Sequence, residues 1–217
     1  MEDTMYIVAG GPSEFIPDLK ERAGAGICWT GVDRGVYRLL RAGIVPDYAF
    51  GDFDSVDEEE WAWIEKQAIG SMHRFPPEKN DTDLELAVRF AANHTKIRKI
   101  EIFGATGGRL DHFFGNAFML FKYVRQGLSL RIIDKQNMMT VYLPGQYTVS
   151  RMKEMKYISF IPLQHTVTGL TLDGFKYPLR NRDIPFGSSL CISNELIQSA
   201  GTFSFSGGIL MMIRSND

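Results

Sequence analysis

Two carboxylates separated by one residue, Asp52 and Asp54, close the apolar run Tyr48-Ala49-Phe50 within Gly51-Asp52-Phe53-Asp54-Ser55. On an extended backbone side chains alternate with period two, so both carboxylates are expected on one side. Gly51 lets the chain turn or approach a ligand closely. Ser55, with Glu58 three residues on, has the form of a capping box opening an acidic helix. Taken alone, the stretch also fits a strand end followed by a helix cap. Further acidic turns weigh against that reading. Asp33, Asp83 and Asp111 likewise follow β-rich runs and precede helical patterns. In an open parallel sheet such turns share the carboxyl edge, where ligands bind. Five carboxylates on one rim repel; at ~5 Å and an effective dielectric of ~20, each pair costs roughly 3 kcal/mol. Cations relieve that cost, and oxygen-only ligands select a hard ion, magnesium with a phosphate being the usual pairing. Each Asp capping its own helix would explain them singly, but Asp52 and Asp54 cannot both be caps.

Gly104-Ala105-Thr106-Gly107-Gly108 adds backbone N–H groups ahead of a helix, a cradle suited to phosphate. It is not a Walker A loop, because no Gly-Lys-Ser/Thr follows. Arg109 and Lys79 are the cations best placed to touch phosphate oxygens. The four histidines show no ligand spacing; His112 adjoins Asp111 at a helix start. Cys28 and Cys191 are far apart and flanked by apolar residues, which reads as reduced core thiols.

The elements that must hold these residues alternate. Strands are expected at Met5 to Ala9, Ile27 to Thr30, Tyr48 to Phe50, Ser71 to Phe75, Lys99 to Phe103 and Ser129 to Ile133. Helices are expected at Phe15 to Ala23, Arg34 to Ala42, Asp57 to Gln67, from Thr82 on, and after Asp111. Val36, Leu39 and Leu40 mark one buried helix face, and Leu84, Ala87, Val88 and Ala91 another. Alternation of this kind predicts a parallel sheet with helices on both faces. After about Asp134 only short β-rich runs follow, including Leu190 to Ile192, which predicts a small antiparallel sandwich or barrel. The expected domains are residues 1–134 and 135–217.

Composition narrows the partners. The 217 residues carry a formal charge of −2, 44% hydrophobic and 23% charged residues. Nothing in that balance predicts attraction to nucleic acid or a membrane surface. No apolar run is long enough to span a bilayer. The acidic start Met1-Glu2-Asp3-Thr4 does not read as a signal peptide, so a cytoplasmic protein is expected.

With these turns in place the chain resembles the bacterial-type thiamine pyrophosphokinase family. The resemblance rests on Asp33, Gly51-Asp52-Phe53-Asp54-Ser55, Lys79-x-x-Thr82-Asp83, Gly104-x-x-Gly107-Gly108-Arg109-x-Asp111 and Ser193-Asn194. It implies a Rossmann-like nucleotide-binding α/β domain and a β-sandwich domain that binds thiamine. It also implies a homodimer with active sites between subunits, and magnesium-dependent pyrophosphoryl transfer from ATP to thiamine. By position, Asp52, Asp54 and Asp83 would hold Mg2+, with Asp111 in the same catalytic cleft. Asp33, Lys79, Thr82, Gly107 and Arg109 would meet ATP, and Ser193 and Asn194 would meet thiamine. Asp54 and Asp111 are both candidates to accept the hydroxyl proton. Some family members stack a Trp of the final strand on thiamine; here Gly207-Gly208-Ile209-Leu210 offers no ring, and Phe203 and Phe205 read as core. The rival readings are a metal-dependent nucleotide-sugar transferase and a non-catalytic nucleotide or thiamine sensor.

Overall fold

A computed structural model describes residues 3–76, 78, 80–93 and 96–217. The chain divides into two compact units, residues 1–119 with 126–135, and residues 120–125 with 136–217.

In the first unit six strands run parallel: β1 (Thr4–Val8), β2 (Ile27–Val32), β3 (Tyr48–Gly51), β4 (Ser71–Arg74), β5 (Lys99–Phe103) and β6 (Ser129–Ile133). Their spatial order is β6-β5-β1-β2-β3-β4. The direction of winding reverses between β1 and β5, which makes a crevice at the carboxyl ends of those strands. Helices α1 (Arg34–Arg41) and α2 (Glu58–Ile64) cover the face carrying Ala49, packing Val36, Leu40 and Ile64 around it. Helix α3 (Asp83–Asn93) covers the opposite face, where Phe90 meets Tyr48 and Phe50. Its stripe of Leu84, Ala87, Val88 and Ala91 is buried as its spacing predicts. Helix α4 (Leu110–Val124) follows β5.

The helix expected from Phe15 to Ala23 is absent. Two 3-10 turns stand there, Ser13–Phe15 and Lys20–Arg22. Pro17 is the cause: a residue before proline is steered away from the α region, and Ile16 sits at φ −78, ψ 125. In place of a helix, this segment sends Arg22 towards the buried Glu101 of β5, which also pairs with Lys99 at 2.9 Å.

The second unit is a sandwich of antiparallel strands. One layer has the order β12-β9-β14-β7 and the other β11-β10-β13-β8. The strands are β7 (Asn137–Tyr142), β8 (Gly145–Ser150), β9 (Tyr157–Pro162), β10 (Thr166–Asp173), β11 (Leu179–Pro185), β12 (Asn194–Glu195), β13 (Ala200–Phe205) and β14 (Leu210–Ser215). Inward side chains of both layers share one core, including Phe160 and Met212 from one and Leu172 and Phe203 from the other. The strand expected at Leu190 to Ile192 is a turn, with Leu190 and Ile192 exposed and only Cys191 buried. Strands β11, β12 and β13 match none of the β-rich runs read from the sequence; β11 is a polar sheet edge in which Ile184 alone is buried. Both cysteines are buried, and neither is in a disulfide.

Candidate active site

Strand order decides which acidic turns meet. β2, β3 and β4 are parallel neighbours, so the turns that follow them open side by side on one edge. Asp33 is the N-cap residue of α1 after β2, Asp52 follows β3, and Asp83 begins α3 after β4. One carboxylate oxygen from each lies within 4.8 Å of the others. All three side chains are half-buried.

Asp33 is held from β3. Its N–H donates to the Phe50 carbonyl at 2.9 Å, and its Oδ1 accepts from the Phe53 N–H at 3.4 Å. Its own backbone adopts φ 48, ψ −123, a conformation rare for a side-chain-bearing residue and one that clusters at functional sites.

Asp54 stands apart from this cluster. Phe53 has φ 63, so the backbone is not extended there and the expected period of two fails. The turn buries the Phe53 ring beside Trp61, with centroids 4.9 Å apart, and leaves Asp54 exposed. The Asp54 N–H donates to Asp52 Oδ1 at 3.2 Å. The capping box also falls elsewhere than expected: Asp57 and Glu60 form it, rather than Ser55 and Glu58. Glu60 in turn binds Arg34 at 2.6 Å, tying α2 to the residue beside Asp33.

Thr82 is exposed, and its Oγ1 accepts from the Glu85 N–H at 3.2 Å, the first half of the expected capping box. Lys79 lies outside the described residues.

Arg109 and Asp111 follow β5. In the order β5-β1-β2 that strand lies two places from β2, about 10 Å away, which explains why Asp111 is outside the cluster. Arg109 grips both oxygens of Asp111, at 3.1 and 2.6 Å. That bidentate pairing, helped by the His112 N–H, holds the Asp111 carboxyl down to about 2. Both side chains are exposed.

The glycine turn between β5 and α4 is pinned at several points. The Gly11 N–H donates to the Gly104 carbonyl at 2.8 Å, Asn116 Nδ2 to the Ala105 carbonyl at 3.2 Å, and Thr106 Oγ1 to Asp134 Oδ2 at 2.8 Å. Gly104 and Gly107 take φ 68 and φ 79. Asp134 was missed in the sequence, although it follows β6 as Asp33 follows β2; no helix comes after it to mark it as a strand-to-helix turn.

In the second unit Ser193 is exposed at φ 57, with its N–H on Ser159 Oγ at 2.9 Å. Asn194 is buried. Its amide accepts from the Tyr177 N–H at 3.0 Å and donates to the Tyr177 carbonyl at 2.8 Å. Phe203, Phe205 and Ile209 are all buried, so none of them offers a face to solvent.

A carboxylate cluster suited to a hard cation, on the same sheet edge as a glycine turn, belongs to proteins that bring phosphates and divalent ions together. Comparison with known proteins makes the class specific. A family model described as thiamin pyrophosphokinase, catalytic domain, matches residues 21–132, and one described as thiamin pyrophosphokinase, vitamin B1 binding domain, matches residues 146–210. The thiamine pyrophosphokinase of Bacillus subtilis (strain 168) is 51% identical, over 99% of each chain. The crystal structure of the Bacillus subtilis enzyme superimposes with a TM-score of 0.94 at 50% identity, covering 99% of both chains. That of thiamin pyrophosphokinase from Geobacillus thermodenitrificans gives 0.91 at 52% identity, covering 99% of this chain and 98% of that one. The chain belongs to the thiamin pyrophosphokinase family.

Proposed function

We propose that this chain transfers a pyrophosphoryl group from ATP to the hydroxyl of thiamine, giving thiamine diphosphate and AMP. The carrying observation is the meeting of Asp33, Asp52 and Asp83 on one sheet edge, in a chain matching both a catalytic and a vitamin B1 binding family model. We assign the nucleotide and the chemistry to residues 1–134 and thiamine to residues 135–217.

Three carboxylates within 4.8 Å form an all-oxygen donor set that repels itself without a cation, and this fits magnesium. Asp33, Asp52 and Asp83 would hold the ion. It would supply charge neutralisation on the phosphate oxygens. This reading replaces Asp54 with Asp33 among the metal ligands, because the Phe53 turn carries Asp54 out of the cluster.

The remaining work falls to the chain. Transfer of this kind needs alignment and stabilisation of developing charge more than covalent help. Arg109, Lys79, Thr82 and the Gly107 N–H would hold the triphosphate. Asp54 and Asp111 are both exposed carboxylates that could accept the thiamine hydroxyl proton, Asp111 once Arg109 turns from it to the triphosphate. Ser193 would meet thiamine from the second unit, and Asn194 would shape that contact by holding Tyr177. The acidic rim favours approach of cationic thiamine.

We further infer a cytoplasmic homodimer with its active sites between subunits. No helix among the described residues is long and apolar enough to cross a membrane. Leu110, Phe114 and Phe118 form an exposed apolar stripe on α4, beginning beside Arg109, and such stripes mark contact surfaces.

Mass spectrometry of products from ATP, magnesium and thiamine tests the reading. Thiamine diphosphate with AMP is expected. ADP with thiamine monophosphate would overturn pyrophosphoryl transfer, and binding without turnover would make the protein a sensor.

A further inference from the structure

The carboxyl edge holds one carboxylate that the proposed chemistry leaves unused. Asp134 follows β6, is 4% exposed, and accepts the Thr106 hydroxyl at 2.8 Å. A buried carboxylate is costly unless it is hydrogen-bonded, so its retention at this point needs a reason. Thr106 is the middle residue of the turn Gly104–Gly108. The turn has no regular structure to fix its direction, and Gly104 and Gly107 leave the backbone free to adopt several. Its position is set from outside. Gly11 seats it, since a Cβ there would lie 2.4 Å from the Gly104 carbonyl oxygen and 2.9 Å from that of Thr106. Asn116 holds Ala105 from α4. Asp134 holds Thr106 from β6, on the far side of β5 from Gly11.

We propose that Asp134 is a positioning residue: through Thr106 it fixes the direction of the glycine turn whose N–H groups receive the triphosphate. The proposal rests on the reading of that turn as the phosphate cradle. Asp134 does not touch substrate. It acts by limiting the turn to one conformation, so the ordering cost is met in folding rather than in binding ATP. Its loss therefore weakens nucleotide binding and leaves thiamine binding alone.

The test compares Thr106→Val, Asp134→Ala, the double variant and Asp134→Asn. Each is titrated calorimetrically with a non-hydrolysable ATP analogue and magnesium, and assayed for KM of ATP and of thiamine. Thr106→Val and Asp134→Ala are each expected to weaken the nucleotide on the order of tenfold, with thiamine KM unchanged. The double variant is expected to be no worse than the weaker single one, because the bond between Thr106 and Asp134 is already lost in each. Asp134→Asn keeps an acceptor oxygen and is expected to fall nearest the wild type. Should Asp134→Ala fail to fold, Thr106→Val and Asp134→Asn carry the comparison. A folded Thr106→Val with unchanged nucleotide affinity, or losses that add in the double variant, would overturn the positioning role alone. Wild-type protein that binds no nucleotide would overturn the cradle reading and this proposal with it.

Discussion

The carboxylate of Asp33 occupies the space where a side chain on Gly51 would begin. A Cβ built on Gly51 lies 2.0 Å from Asp33 Oδ1 and 3.0 Å from its Cγ. Gly51 also has φ 148, in the region that favours glycine. The end of β3 is therefore shaped around an acidic group from β2. Gly51→Ala must displace either the strand end or the carboxylate. It is expected to cost more than about 2 kcal/mol in urea unfolding and to lower turnover as Asp33 moves. Unchanged stability and activity would mean that Asp33 is not held there.

Removing one charge from the cluster separates its chemical role from its structural cost. Asp52→Asn relieves repulsion among the three carboxylates, so the metal-free variant is expected to melt no lower than the wild type. It should lose the rise in melting temperature that magnesium gives the wild type. Turnover is expected to fall by roughly 10²–10³-fold. Thermal melts with and without magnesium, run beside the product assay, check both halves. Full activity in this variant would remove Asp52 from the metal site.

Asp111 titrates low because Arg109 grips it, and pH exposes that dependence. A carboxyl depressed to about 2 contributes stability above its unfolded value of about 3.9 and loses it as pH falls towards 2. The pair is fully exposed, so the stability at stake is small. Carboxyl-resolved NMR titration is expected to place the Asp111 midpoint near 2, and near the ordinary value in Arg109→Ala. The same variant should raise KM for ATP, since Arg109 is also the proposed phosphate contact. An Asp111 midpoint that ignores the substitution would dissolve the pair.

Ser193 and Asn194 adjoin in sequence but differ in burial, and their variants should part accordingly. Asn194→Ala removes a buried amide and both of its hydrogen bonds to the Tyr177 backbone, so a loss of about 1–3 kcal/mol in chemical denaturation is expected. Ser193→Ala removes an exposed hydroxyl and should barely change stability, while raising KM for thiamine. If Ser193→Ala leaves that KM untouched, thiamine does not lean on its hydroxyl.

Much of the first unit was legible because its strands are short apolar runs closed by polar turns. Each parallel strand was found within a residue or two, and the buried stripes of α1 and α3 follow from their spacing. Where expectation failed, local signals were overridden or misleading. Pro17 sits inside an otherwise helical composition and breaks it. β11 carries Arg180, Arg182 and Asp183, which suit the exposed edge of a sheet and hide its strand character. Leu190-Cys191-Ile192 is apolar yet forms a turn that buries only its middle residue.

By itself the sequence determined that several carboxylates and a glycine turn end strands of one parallel sheet, because hydrophobic period and turn residues are local properties. It could not choose which carboxylates touch. Tertiary structure decided that, through two facts with no local signature. The spatial order of the strands brings the turns after β2, β3 and β4 together and leaves Asp111 two strands away. Burial of one ring, Phe53, bends the backbone and exchanges Asp54 for Asp33 in the cluster.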